Sequence, residues 1–373
     1  MNGAPAAPPT AAPAAAPRRL SLCRPDDWHL HLRDGPVLAA VLPYTARVFA
    51  RAIVMPNLRL PVTTVEQALA YRGRILEALA AAGGAPLHFE PLMTLYLTGA
   101  TTPAEIDRAR QSGAVHGVKL YPARATTHSE AGVQSIADCW PVLERMQERG
   151  LPLLVHGEAA HPEVDVFDRE QRFLEETLAP LRQRFPALRL VLEHVTTAEA
   201  VAFVRQDPGP TAATITAHHL LYNRNAMFLR ADGGAAFRPH YYCLPVLKRE
   251  AHRRALVGAA TGGEPRFFLG TDSAPHARGD KENACGCAGC FTAPLALPLY
   301  AQAFEAAGAL ERLEGFASHF GADFYGLPRN TGRVTLVRRV PAALPPVRAQ
   351  GQEFVPLGAG ECDWSIEDDA APA

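Results

Sequence analysis

Three things are scarce in this chain, and each scarcity removes a class of function. Charge excess is absent: 37 Lys+Arg against 38 Asp+Glu leave a formal charge of −1. Nucleic acid and anionic membranes both demand a basic surface, so neither is expected as a partner. Long apolar runs are absent too, none reaching the roughly 18 residues of a membrane span. Cysteine is sparse, seven in 373 residues and odd in number. That argues against a disulfide-stapled secreted scaffold and fits a reducing cytoplasm. The first 19 residues, MNGAPAAPPTAAPAAAPRR, hold no Leu, Ile, Val or aromatic residue. Such a segment cannot bury enough surface to offset its chain entropy, so residues 1–19 are expected to form a disordered Ala/Pro-rich tail. They lack the basic start and apolar stretch of a secretory signal and the Arg/Ser content of a transit peptide.

What is present is 48% hydrophobic residues in a uniform texture from residue 20 onward, ample for a large core. Short apolar runs alternate with amphipathic stretches. The runs are Trp28–Leu32, Ala52–Pro56, Pro91–Leu97, Gly117–Tyr121, Leu153–His156, Leu190–His194, Ala212–Thr216, Tyr241–Leu244 and Phe267–Gly270. Helical spacing is expected over Thr64–Ala82, Thr102–Gln111, Val133–Arg149, Asp168–Arg184, Ala198–Arg205 and Arg249–Val257. Strand–helix alternation means parallel β/α units. About eight of them predict a closed (β/α)8 TIM barrel spanning residues 20–368, one run being an accessory piece. A doubly wound open sheet is the alternative. The Pro-, Gly- and Ala-rich stretch after Arg338 is expected to be an irregular extension, frayed from Glu367.

The fourteen histidines carry the functional signal. His29 and His31, two apart in a strand pattern, leave the same face and can chelate together. Alone they would read as two satisfied, half-buried histidines. Other runs also end in a polar group: Lys119, His156, His194 and Asp272. Active sites of β/α barrels gather at the C-terminal ends of the strands, so five strands would deliver ligand atoms to one place. Core packing would have filled these ends with apolar or turn residues. Four imidazoles and a carboxylate suit Zn²⁺ and metal-assisted hydrolysis. Lys119 is the odd member. It is either a salt-bridged barrel lysine or an amine carboxylated by CO₂, whose carbamate could bridge two metals.

Asp27-Trp-His29-Leu-His31-Leu-Arg33-Asp34 resembles the opening signature of the amidohydrolase superfamily, specifically of its bacterial single-function dihydroorotases. The resemblance continues through Ala52-Ile-Val-Met-Pro-Asn57, Lys119-Leu-Tyr-Pro-Ala-Arg-Ala-Thr-Thr127, Pro152-Leu-Leu-Val-His156-Gly-Glu158 and Glu193-His194. It extends through Cys243-Leu-Pro-Val-Leu-Lys248 and Leu269-Gly-Thr-Asp272-Ser-Ala-Pro-His276 to Cys285-Gly-Cys-Ala-Gly-Cys290. It implies the reversible cyclisation of N-carbamoyl-L-aspartate to dihydroorotate in pyrimidine biosynthesis, usually by a homodimer. It implies two Zn²⁺ ions, one held by His29, His31, carboxylated Lys119 and Asp272, the other by Lys119, His156 and His194. A bridging hydroxide would attack, and Asp272 would serve as general acid and base. Arg33, Asn57, His276 and the backbones of Leu244 and Ala288 would hold the substrate, with His31 and His156 bordering the same pocket. Thr126 and Thr127 would belong to a lid. Position 124 carries Arg where the resemblance leads one to expect a smaller polar residue. Leu229–Phe237 is longer than the family pattern and is expected to be a surface loop.

Cys285, Cys287 and Cys290 supply only three of the four ligands a zinc knuckle or Fe–S cluster needs. Cys243 could be a fourth, but nothing in the sequence places it nearby. The resemblance instead makes this segment a substrate loop. His218 and His219 are expected to be structural. Two rival readings fit the sequence: another cyclic amidase such as a hydantoinase, or a deaminase on the same barrel; and a metal-free barrel kept as a partner or scaffold.

Overall fold

The computed structural model describes residues 18–82, 88–127, 129–230, 232–284, 286–339 and 344–367. The Ala/Pro-rich segment up to residue 17, His128, Cys285 and the end from residue 368 lie outside them. Arg19, assigned to the tail by composition, opens the first strand. The strands in chain order are β1 (Arg19–Cys23), β2 (Asp27–Leu30), β3 (Arg51–Val54), β4 (Glu90–Tyr96), β5 (Val115–Leu120), β6 (Leu153–Val155), β7 (Leu190–Leu192), β8 (Thr211–Ile215) and β9 (Phe267–Leu269). They are followed by β10 (Arg333–Arg338), β11 (Val347–Ala349), β12 (Gln352–Phe354) and β13 (Trp364–Ile366).

Strands β2 to β9 form one eight-stranded sheet in sequence order, every pair parallel. The sheet closes just beyond the last strand. The Asp272 N–H donates to the His29 carbonyl at 2.9 Å and the His31 N–H to the Ser273 carbonyl at 3.2 Å. This is the (β/α)8 barrel that the strand–helix alternation predicts, and the open-sheet alternative is excluded. Helices cover the outside. Threonines at 64, 102 and 197 cap three of them, each accepting a hydrogen bond from the backbone N–H three residues on.

Alternation along the strands separates two cores. Outward side chains such as Leu153, Val155, Leu190, Leu192, Ala213 and Ile215 join the large cluster beneath the helices. Inward ones, Ile53, Leu92, Leu154, Val191, Ala212 and Phe268 with Trp28, make a small apolar floor. The segment Phe320–Tyr325 plugs that floor from below, with Tyr325 stacked on Trp28 at 4.6 Å between ring centres. Two residues further along the same inward rows stand His156, Glu193, Thr214 and Gly270. The barrel interior therefore turns from apolar to polar over one repeat of the pleat. Gly270 is required by closeness, because a Cβ there would meet the Thr214 side chain and the His29 Cβ at 2.7–3.0 Å.

Some expectations change. Tyr241–Leu244 forms no strand. It follows a 3-10 turn at Pro239–Tyr241, and the Tyr242 carbonyl accepts from Lys281 and from the Gly289 N–H rather than from a sheet neighbour. The helix expected from Val133 begins at Trp140, after a 3-10 turn at Ile136–Cys139. Gly35–Val48 is a helix despite an internal Pro43, which masks its periodicity in the sequence. The C-terminal stretch is more ordered than its composition suggests. β10 pairs with β1 and β13 in an antiparallel sheet, and β11 pairs with β12. The described residues of Leu229–Phe237, all but Ala231, form a loop with Phe237 exposed, as expected. Among the described residues no helix is long and apolar enough to cross a membrane.

Gly321 packs so closely on Trp28 that a Cβ would overlap the indole nitrogen. Gly321→Ala should therefore lower unfolding stability by about 1–3 kcal/mol, measured by denaturant titration. An unchanged midpoint would show that the floor tolerates displacement.

Candidate active site

Every residue expected from the sequence to bind metal or substrate or to form the lid, except Lys119, lines one cavity at the C-terminal mouth of the barrel: His29, His31, Arg33, Asn57, Thr126, Thr127, His156, His194, Leu244, Asp272, His276 and Ala288. Tyr121, Ala274 and Gly289 complete the lining. Lys119 is fully buried beneath it, next to last on β5, and feels the charges of Glu193 and Asp272.

Two groups of donor atoms face each other across the cavity floor. In the first, His29 Nε2 lies 3.3 Å from His31 Nε2 and 3.4 Å from Asp272 Oδ1, and His31 Nε2 lies 3.1 Å from that oxygen. In the second, His156 Nδ1 lies 3.2 Å from His194 Nε2. The rings of His29 and His194 join the two groups, their centres 5.0 Å apart. Tetrahedral ligands on bonds of 2.0–2.1 Å stand roughly 3.3 Å from one another, so the spacing fits coordination of metal ions. Several buried polar atoms find no protein partner: His31 Nδ1, His194 Nδ1, Lys119 Nζ, Glu158 Oε1 and Glu193 Oε1.

The electrostatics suit a cation. Burial pushes His31 down to about 4, and burial together with His156 holds His194 well below its ordinary value, so both imidazoles are neutral at pH 7. Burial works against the Asp272 carboxylate, but the imidazoles of His29, His31 and His194 hold it well below the usual carboxylate range. Neutral imidazole and ionised carboxylate are the forms that bind metals. Burial brings the Lys119 ammonium down to about 8, against the pull of Glu193 and Asp272.

The backbone is strained at this site. Arg33, His194 and Asp272 have φ of 62°, 40° and 45°, a conformation costing roughly 1–3 kcal/mol each for a residue with a Cβ. Neighbours hold them there. The Thr214 hydroxyl accepts from the His194 N–H at 2.7 Å and donates to Glu193 at 2.8 Å. The Tyr71 hydroxyl donates to the Arg33 carbonyl, and the Arg33 guanidinium donates to the Pro275 carbonyl and meets His276 Nε2, both at 3.0 Å. Thr126 and Thr127 come in from the loop after β5. The Thr126 N–H donates to the Ser129 hydroxyl at 2.9 Å, and Thr127 Oγ1 lies 3.5 Å from the Ala288 carbonyl on the opposite wall.

Two carboxylates to which the sequence reading gave no role prove central to the geometry. Glu193 accepts from His29 Nδ1 at 2.5 Å, leaving Nε2 for the cavity. Glu158 accepts from His156 Nε2 at 2.8 Å, leaving Nδ1. The inward parity of Glu193 with Val191 is the signal that could have revealed the first. Asp27 also went unassigned. It accepts from the His29 and Thr271 N–H groups and the Thr271 hydroxyl, tying β2 to the residues past β9.

The sequence profile of the amidohydrolase family matches residues 27–336. A dihydroorotase of Cupriavidus taiwanensis is 64% identical over 347 residues, covering 92% of this chain and 97% of that protein. The solved dihydroorotase of Campylobacter jejuni has a TM-score of 0.84 at 34% identity, covering 94% of this chain and 98% of its own. An L-hydantoinase of Arthrobacter aurescens has a TM-score of 0.68 at 15% identity, over 93% and 83% of the two chains, a likeness of fold alone.

Carboxylates that orient metal-binding histidines typically contribute about 10–100-fold in metal affinity. Glu193→Gln and Glu158→Gln should each lose metal to a chelator at a 10- to 100-fold lower concentration than the parent, by elemental analysis, with the circular dichroism spectrum kept. Retention equal to the parent would remove the orienting role.

Proposed function

The chain belongs to the amidohydrolase family and, within it, to the dihydroorotases; from that membership we propose that it cyclises N-carbamoyl-L-aspartate reversibly to (S)-dihydroorotate, with release of water, in cytoplasmic synthesis of pyrimidines toward UMP. The observation that carries this reading is the crowding of four imidazoles and one carboxylate, 3.1–3.4 Å apart in two groups, beside the Arg33 guanidinium in one cavity.

The donor set fits two Zn²⁺ ions. His29, His31, Asp272 and carboxylated Lys119 would hold one, and Lys119, His156 and His194 the other. Support for a carbamate at Lys119 comes from its buried, unpartnered amine, brought down to about 8 by burial. The neutral amine is the form that adds CO₂. Zinc at this place would polarise the ring carbonyl and bring a water toward ionisation near neutral pH.

The side chains do the rest. Arg33 pairs with the substrate carboxylate, which a planar guanidinium can grip with two parallel hydrogen bonds. Asn57 and His276 add polar contacts, the backbones of Leu244 and Ala288 line the far wall, and His31 and His156 border the reacting ring. In the hydrolytic direction Asp272 accepts the proton of the attacking water and passes it to the leaving amide nitrogen. Biosynthesis reverses these transfers. Thr126 and Thr127 close over the bound molecule and exclude bulk water. A homodimer is the proposed assembly.

Two rivals are disfavoured by specific features. A hydantoin offers no carboxylate to Arg33, and the likeness to a hydantoinase is confined to the fold. A metal-free scaffold would have no reason to keep imidazoles oriented toward one cavity by buried carboxylates.

The purified enzyme should hydrolyse dihydroorotate and leave hydantoin intact, and Asp272→Asn should lower turnover about 10²–10⁴-fold with folding retained. Comparable turnover of hydantoin would contradict the substrate, and near-parental activity of the variant would contradict the proton carrier.

A further inference from the structure

A second cluster of metal-binding atoms lies behind the far wall of the cavity. His218, in the helix Ala217–Leu221 after β8, meets Cys243 and Cys290, and one ring nitrogen and the two sulfurs all lie within 4.8 Å of one another. All three residues are buried. They come from three separate segments, and nothing in their spacing places Cys243 or His218 beside Cys290.

The surroundings of His218 mark the cluster as more than packing. Both of its ring nitrogens are buried and find no hydrogen-bond partner. Its neighbour His219 is fully used, by the Thr216 hydroxyl at 2.7 Å and the Pro245 carbonyl at 3.1 Å. Leaving a buried imidazole unpaired costs free energy unless something satisfies it. The two thiols next to it are soft donors, and two sulfurs with one imidazole select a soft or borderline cation.

We propose that His218, Cys243 and Cys290 form a third metal site, separate from the histidine–carboxylate centre, that takes one Zn²⁺ or an ion of similar softness. Zn–S bonds near 2.3 Å and Zn–N bonds near 2.0 Å set ligand atoms roughly 3.5–3.8 Å apart, so from separations within 4.8 Å the side chains need to draw together by about 1.3 Å at most. On binding, the two thiols release their protons to solvent, and the dication with two thiolates and a neutral imidazole carries no net charge. The Lys281 ammonium is already satisfied by the carbonyls of Tyr242, Cys287 and Gly289, each at 2.8 Å. It therefore faces a neutral site. The ion would fasten Cys243 and Cys290 to the barrel. These residues flank Leu244 and Ala288–Gly289, which line the cavity. The site would act by positioning, holding two stretches of backbone at the distance the cavity requires.

The test is to load the full-length protein with Co²⁺ while a phosphine keeps its thiols reduced. The expected result is thiolate-to-cobalt charge-transfer absorption in the near ultraviolet, with one bound equivalent more than the histidine centre retains. Cys243→Ser, Cys290→Ser and His218→Ala should each lose that equivalent, and the two serine variants the absorption, whereas Cys287→Ser should keep both. Should the variants fold poorly, X-ray absorption of the loaded parent decides. Two sulfur neighbours at one cobalt support the site. Nitrogen and oxygen neighbours alone, or a charge-transfer band that survives both serine substitutions in folded protein, overturn it.

Discussion

Closure of the barrel between β2 and the residues just past β9 is the constraint on which the site depends. Two backbone hydrogen bonds make the seam, from Asp272 to His29 and from His31 to Ser273. The bonds that complete the sheet are thus made by the residues whose side chains would hold the first cation. The Asp27 carboxylate reinforces the seam by accepting from both sides, from the His29 N–H and from Thr271. A barrel left open here would separate His29 and His31 from Asp272. Folding and assembly of the donor set are one event, which gives a physical reason for a ligand pair at the first strand and a carboxylate after the last.

The second consequence is electrostatic. The barrel floor is apolar, and the ring above it holds imidazoles kept neutral by burial and carboxylates with unpartnered oxygens. Carboxylates with free lone pairs beside neutral imidazoles form an environment that favours a cation. Positive φ at Arg33, His194 and Asp272 adds strain that a stability-driven sequence would avoid. The large cluster beneath the helices supplies the stability against which this polar, strained mouth is held.

Much of this was legible in the sequence because barrel geometry converts strand ends into neighbours. Once Leu153–Leu154–Val155 and Leu190–Val191–Leu192 read as buried strands, the residues that follow them had to face one mouth. His156, His194 and Asp272 were found in that way. Three kinds of feature were not. Glu193 and Glu158 act through hydrogen bonds to a particular ring nitrogen, and a sequence carries no tautomer. The antiparallel sheet of β1, β10 and β13 pairs segments more than 300 residues apart, and no local pattern announces such a pairing. The meeting of His218 with Cys243 and Cys290 depends on the path of irregular backbone around the cavity, which neither periodicity nor spacing encodes.

Anomalous diffraction at the zinc edge, from crystals of the protein as purified, would locate any ions at the barrel mouth. Two peaks are expected about 3.5–4 Å apart, one among His29, His31 and Asp272 and the other between His156 and His194, with continuous density joining them through a carboxylated Lys119. A bare Lys119 ammonium with no ion on either side, or a single ion that leaves His156 and His194 unliganded, would contradict a two-ion centre.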